Sequence, residues 1–204
     1  MKEIQIRKND AGQRLDRFVG KAVPLLPESL LQKYIRLKRI KRNGKGAKRD
    51  VRLVEGDVLQ LYINDEFFER PTEENAWLKI ATPRLDIVYE DENILLADKK
   101  PGVLCHSAGE WSWDTLISNI QAYLRQSGEW DPKAENAFTP ALCNRIDRNT
   151  GGIVIAAKNA EALRILNDKI RDREIDKAYL CVVCGRPKPA EGRLEGYLFK
   201  DAVK

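Results

Sequence analysis

One ten-residue stretch concentrates groups that do chemistry: Cys143, Asn144, Arg145, Ile146, Asp147, Arg148, Asn149, Thr150, Gly151 and Gly152. A carboxylate stands between two guanidinium groups, followed by a hydroxyl and two glycines, directly ahead of an apolar run. Flanking cations keep a carboxylate ionised, the state that a nucleophile or a base requires. Paired glycines let the backbone approach another chain or a substrate closely. The same residues also read as an ion-paired turn that ends a loop, and their types alone do not choose.

Strands and helices must hold that stretch in place. Residues 152–156 have the pattern of a buried strand, running into a helix with Leu163, Leu166 and Ile170 on one face. Upstream, residues 85–89 and 94–97 read as strands around the turn Glu90-Asp91-Glu92-Asn93. A helix capped by Asp114 follows, with Leu116, Ile117, Ile120 and Leu124 inward, and residues 178–183 read as a further strand. Residues 125–139, polar and punctuated by Trp and Pro, read as a surface excursion. Residues 64–84, rich in Glu and edged by Pro71 and Pro83, read as a linker.

Ahead of the linker the charge changes sign. Residues 1–63 carry 16 Lys/Arg against 7 Asp/Glu, whereas residues 64–204 carry 20 against 24, within a net charge of +5. Ten cations crowd residues 28–53, and such density repels itself unless a polyanion lies opposite, which points to nucleic acid. A solvated basic face without a ligand is the plainer reading of the same run. Leu15, Phe18, Val19, Ala22 and Val23 make a helical face that stops before Pro24. Ser29 can cap a second helix that buries Leu30, Leu31, Tyr34 and Ile35. Asn43-Gly44 is a hairpin signal, and residues 51–63 read as strand around Gly56-Asp57. The negative mean hydropathy and the lack of a long apolar run exclude a membrane span. The N-terminus has no apolar signal core, and four irregularly spaced cysteines fit free thiols, so a cytoplasmic protein is expected. Cys181 and Cys184 have the spacing of half a zinc site or of a thioredoxin-type pair, but they lie in an apolar strand pattern that points them to opposite faces. A lone His106 reads as a polar loop residue before it reads as a general base.

The basic module resembles the S-four RNA-binding domain through Arg14-Leu15-Asp16, Ser29, Gln32 to Ile35, Ile40 to Gly44 and Glu55 to Val58. Leu30 stands where that domain usually carries Arg, leaving Lys33, Arg36, Lys38, Arg39, Lys41 and Arg42 to meet phosphates. Arg145 to Gly152 resembles the signature of the RluA-type pseudouridine synthases, a group of ribosomal large-subunit enzymes. Lys99 to His106 resembles that family's lysine-proline-glycine strand end, and Lys177-Ala178-Tyr179 its lysine-x-tyrosine motif. Asn144 departs from the His that many members carry before the Arg.

The resemblance implies an α+β protein: an S-four-like domain over 1–63, a linker over 64–84, and a mixed, largely antiparallel catalytic sheet domain over 85–204. It implies conversion of uridine to pseudouridine in structured RNA, large-subunit ribosomal RNA above all, by a monomer without cofactor or metal. By the same carry-over Asp147 is the essential carboxylate, attacking the anomeric carbon or removing a sugar proton. Arg145 fills the gap left by the flipped uridine, and Tyr179 packs against the uracil. Lys177, Thr150 and Gly151 contact the substrate. Relatives continue into a histidine-glutamine-isoleucine-arginine motif that residues 185–204 do not match. A fragment that keeps RNA binding but has weak or absent isomerase activity is therefore expected. The rival class is an RNA-binding clamp without catalysis.

Overall fold

Alternating apolar residues and one tight turn build the first sheet. The structure, a computed structural model, describes residues 1–68, 76–107, 113–197 and 199. Strands β1 (Lys2–Gln5), β2 (Ile40–Arg42), β3 (Lys45–Gly46) and β4 (Val58–Leu61) pair antiparallel in the order β1-β4-β2-β3. Helices α1 (Leu15–Ala22) and α2 (Glu28–Arg36) bury Leu15, Phe18, Val19 and Leu31 with Ile40, Leu59 and Leu61 of the sheet. The β2–β3 turn is the expected one: Asn43 and Gly44 both take positive φ, 50° and 79°, which matches the twist of a hairpin. Asn43 also accepts Val58 N–H through Oδ1 at 2.8 Å and donates to Asp57 at 2.8 Å, tying the turn to β4.

Two expectations change here. Ser29 does not cap α2; the helix starts at Glu28, two residues earlier than such a cap implies, and the Pro27 carbonyl accepts from Leu30 and Leu31. Pro27 at φ −59° is already set for that start. Strand over 51–63 shrinks to Val58–Leu61, with a single bridge between Arg14 and Arg52 before it. The chain tightens between them, because Gly56 sits at φ 88° and the Asp57 carboxylate accepts Val54 N–H at 2.8 Å.

The second sheet orders β5 (Ile87–Glu90), β6 (Ile94–Lys99), β8 (Gly152–Ala157) and β7 (Ala141–Leu142), again all antiparallel. Helix α3 (Leu116–Gln126) packs Leu116, Ile120 and Leu124 on Leu95, Ala97, Val154 and Ala156. Its cap is Thr115, whose Oγ1 accepts Ser118 N–H at 3.2 Å, while Asp114 takes the Asn119 side chain. Helix α4 (Ala160–Arg171) is capped by Asn159. Its Leu163, Leu166 and Ile170 are half-buried. The strand expected over 178–183 does not form: Leu180 and Val182 are fully exposed, and no described strand takes their ladder bonds. Among the described residues, then, the fold is α+β with two antiparallel sheets and four α-helices.

The stretch expected as a linker contributes to both cores. Phe67 and Phe68 lie on the first. Trp77 meets Trp130 of the second edge-on, 5.5 Å between centroids. Pro71 and the Glu-rich residues 69–75 lie outside the described residues. A polar seam joins the two sheets' ends. Asn9 donates to Glu135 at 2.7 Å, Asn136 donates to Asp10 at 2.7 Å and to the Gln5 carbonyl at 2.9 Å, and Asn9 accepts Ala160 N–H at 3.3 Å.

Lys158, just past β8, pairs with Glu90 at 2.8 Å and with Glu129, and Tyr123 donates to Glu90 at 2.9 Å. The lysine side chain is only 6% exposed, and removing it takes the cation from two carboxylates, leaving Glu90 its bond from Tyr123 and Glu129 one from Ser127. Lys158→Met is expected to destabilise the fold by about 1–3 kcal/mol in a denaturant titration. The hydrogen bond from Lys158 is the main cause that holds the Glu129 carboxyl below its usual range. That stabilisation is present above the ordinary glutamate pKa and is lost as pH falls through the lowered one. The difference between the two proteins should therefore narrow in acid and persist at neutral pH.

Candidate active site

Lys99 ends β6 directly opposite Gly152, the first residue of β8, so the turn after one strand and the loop before the other share an end of the sheet. Lys99 is 1% exposed, and no carboxylate reaches it among the described residues. Its Nζ donates to three backbone carbonyls: Val103 at 2.9 Å, Arg148 at 3.0 Å and Lys100 at 3.2 Å. One ammonium thereby ties the turn over 100–103 to the residue after Asp147. Gly102 N–H donates to the same Arg148 carbonyl at 2.8 Å, and Arg148 Nε returns a bond to the Gly102 carbonyl at 3.1 Å. Cys105, also buried, donates from Sγ to the Ile146 carbonyl at 3.4 Å. The carbonyls of the residues before and after Asp147 are thus both held.

Close packing of the loop explains its glycine. A Cβ on Gly151 would lie 3.1 Å from Pro101 Cδ and 3.4 Å from the Lys99 carbonyl. The close approach inferred from the sequence is thus made to the turn after β6. Asp147 itself is exposed, its carbonyl accepting Thr150 N–H at 3.1 Å. Neither flanking arginine pairs with it. Arg148 is held on Gly102, and Arg145 is exposed, close enough to His106 that it adds to burial in lowering the imidazole pKa. Burial pushes the Cys143 thiol up to about 11, which leaves it protonated and unreactive at neutral pH.

Beside this loop lies a cleft of about 710 Å³ whose lining includes Asn149, Thr150, Gly151, Ile153, Lys177 and Tyr179. It brings together four of the residues marked in the sequence: Thr150, Gly151, Lys177 and Tyr179. Asp147 and Arg145 stand outside its lining. Tyr179 is 61% exposed.

The six basic residues marked in the first unit divide into three kinds. Lys33, Arg36 and Lys38 are exposed, with no ion pair among the described residues. Arg39 lies over the Tyr34 ring at 5.0 Å and Lys41 over Tyr62 at 5.2 Å, contacts that steady a cation while leaving it charged. Arg42 pairs with Asp57 at 2.6 Å. Burial works against the Asp57 charge, but Val54 N–H, Arg42 and Asn43 outweigh it and hold the carboxyl low. Arg42 therefore braces the hairpin. Cys181 and Cys184 are exposed free thiols. Among the described residues no three His, Cys, Asp or Glu side chains gather as a metal site requires, and no helix is long and apolar enough to cross a membrane.

The bracing role of Lys99 went unread in the sequence, yet a signal was there. Leu95, Ala97 and Lys99 share the buried parity of β6, so the strand's own alternation turns the lysine inward. Cys105 carries no comparable mark, because the turn before it breaks the alternation.

The sequence pattern of the RNA pseudouridylate synthase family matches residues 93–204. An uncharacterized RNA pseudouridine synthase of Mycoplasma genitalium is 31% identical over 183 residues, 89% of this chain and 55% of its own length. A ribosomal large subunit pseudouridine synthase C of Rickettsia bellii is 30% identical over 192 residues, 89% of this chain and 59% of its own. The chain thus spans little more than half the length of these curated relatives. A solved structure, human RNA pseudouridylate synthase domain containing 4, overlaps 50% of this chain and 34% of its own at 20% identity and a TM-score of 0.35, too slight a likeness to bear on the fold.

Proposed function

Because this chain belongs to the RNA pseudouridylate synthase family, we propose that it isomerises uridine to pseudouridine in structured RNA with Asp147 as the acting carboxylate. The observation that carries this reading is the mounting of that residue. An exposed carboxylate stands on a loop whose carbonyls on either side are gripped by Lys99 and Cys105, and no cation among the described residues pairs with it. A nucleophile or base needs that combination of fixed backbone and free oxygen atoms.

The reaction breaks the bond from the anomeric carbon to N1, turns the uracil, and joins the same carbon to C5, whose proton leaves while N1 takes one up. Asp147 attacks the anomeric carbon or takes a sugar proton. Arg145, exposed beside it, fills the space a flipped nucleotide vacates. The ring of Tyr179 supports the uracil, with Lys177, Thr150 and Gly151 along the cleft wall. The protein is of the RluA type, its catalytic part over 85–204 joined through 64–84 to an S-four-like RNA-binding module over 1–63. The relative named ribosomal large subunit pseudouridine synthase C supports ribosomal RNA as the substrate class. Tritium release from RNA labelled at C5 of uridine is the direct test. No release at any enzyme concentration would count against catalysis by these residues.

The binding half of the proposal has its own readout. Lys33, Arg36 and Lys38 are exposed cations with no ion pair among the described residues, placed to neutralise phosphates. Replacing all three by Ala should lower the slope of log affinity against log salt by about 0.7–0.9 per lost contact. The apparent KM on long RNA should rise more than the single-turnover rate falls. Identical salt slopes would remove the module from the binding surface. The reading as a clamp without catalysis draws on the exposure of Tyr179. It predicts the same salt slopes with no tritium release.

A further inference from the structure

Strand β7 pairs with β8 through Ala141 and Leu142, and Cys143 N–H extends the ladder by one bond to the Ile155 carbonyl at 2.7 Å. At the next position the ladder continues without the backbone. Asn144 Oδ1 accepts Ile155 N–H at 2.8 Å, and its Nδ2 donates to the Ile153 carbonyl at 3.4 Å. A side-chain amide carries the same acceptor and donor as a peptide group, and here it occupies the edge of β8 that the next peptide would have taken. The main chain is thereby released from the sheet at this residue, and Arg145, Ile146 and Asp147 leave on the loop that Lys99 and Cys105 hold from the other side.

We propose that Asn144 is a positioning residue that acts through Asp147: its amide, clamped on both faces to the backbone of β8, sets where the loop over 145–151 departs from the sheet. The inference rests on the proposed isomerase reading for its kinetic consequence but not for its structural one. Nothing in this role requires a proton to move at position 144. It requires an acceptor for Ile155 N–H and a donor for the Ile153 carbonyl at one fixed place. Asp supplies the first and not the second. A neutral imidazole supplies the first through its unprotonated nitrogen, while an imidazolium has two donors and no acceptor for Ile155 N–H.

Three variants of the full chain, N144A, N144D and N144H, test this by amide hydrogen exchange and by single-turnover tritium release. In Asn144→Ala the Ile155 amide and the Thr150 amide, which closes the loop on Asp147, should exchange at least about tenfold faster. The Leu95 amide, inside the β6–β8 ladder, should keep its protection and show that the sheet is folded. Asn144→Asp should retain protection at Ile155. The rate of Asn144→Ala should fall about 10- to 100-fold with RNA affinity within about twofold, as expected for a displaced reacting group. Relative to the unsubstituted chain at each pH, Asn144→His should climb through pH about 6.5 as its ring becomes neutral. Unchanged exchange at Ile155 and Thr150 in Asn144→Ala overturns the inference whether or not the chain turns over. Absence of tritium release from the unsubstituted chain counts instead against the proposed function, and the exchange data then decide the positioning role by themselves.

Discussion

Asp147→Asn is expected to lower the single-turnover rate to below about one-thousandth of the unsubstituted rate while RNA affinity stays within about twofold. The amide is nearly isosteric, and the contacts that hold the loop run through backbone carbonyls of Ile146 and Arg148, not through the Asp147 side chain. The substitution therefore removes the charge and the nucleophile without disturbing the mount. Parallel tritium release and filter binding separate the two effects. A near-normal rate from Asp147→Asn would reassign the chemistry to another group.

Lys99→Met should act through the mount and not through the carboxylate. Three carbonyls lose their shared donor; that of Arg148 keeps one from Gly102 N–H and that of Lys100 a longer one from Val103 N–H, whereas no other donor reaches that of Val103 among the described residues. Buried acceptors left without donors cost about 1–3 kcal/mol each, offset in part by no longer burying an ammonium. A net loss of about 2 kcal/mol lowers the melting temperature by roughly 4–8 °C for a chain of this size. Below that temperature the loop is less fixed, so the rate should fall by about 100-fold with little change in RNA affinity. Calorimetry and single-turnover kinetics on one preparation check both halves. An unshifted melting temperature would mean that the lysine does not brace the loop.

What the sequence disclosed follows from how local each feature is. The Asn43-Gly44 hairpin was legible because positive φ at two adjacent residues is a property of those residues. The apolar faces of α1 and α3 were legible because helical spacing and burial agree there. Arg42 was read as a free cation, but its partner Asp57 is fifteen residues away across a strand pairing that no local pattern displays. The apolar run from Ala178 to Val183 was read as strand on composition, yet a strand exists only where a neighbour accepts its ladder bonds. The charges around Asp147 misled in the same way. Adjacency in sequence suggested ion pairs with Arg145 and Arg148, whereas the loop's curvature sends Arg148 to Gly102. Lys99 lay between these cases: its inward parity was visible, but the three carbonyls that receive it belong to two separate loops.

The seam formed by Asn9, Asp10, Glu135 and Asn136 turns a matter of attachment into one of measurement. Two surfaces joined by a slack tether sample many separations, and each contributes affinity without dictating where the other lands. Two surfaces locked edge to edge work as a caliper. On the proposed reading, whatever helix the cations of α2 grip lies at a set span from the loop of Asp147, and a uridine qualifies by its distance from that grip as much as by its neighbours. The jaws are not welded, because hydrogen bonds of this kind are worth about 0.5–3 kcal/mol each, the larger values to carboxylates. The gauge can spring open to admit a folded RNA and still return to one setting.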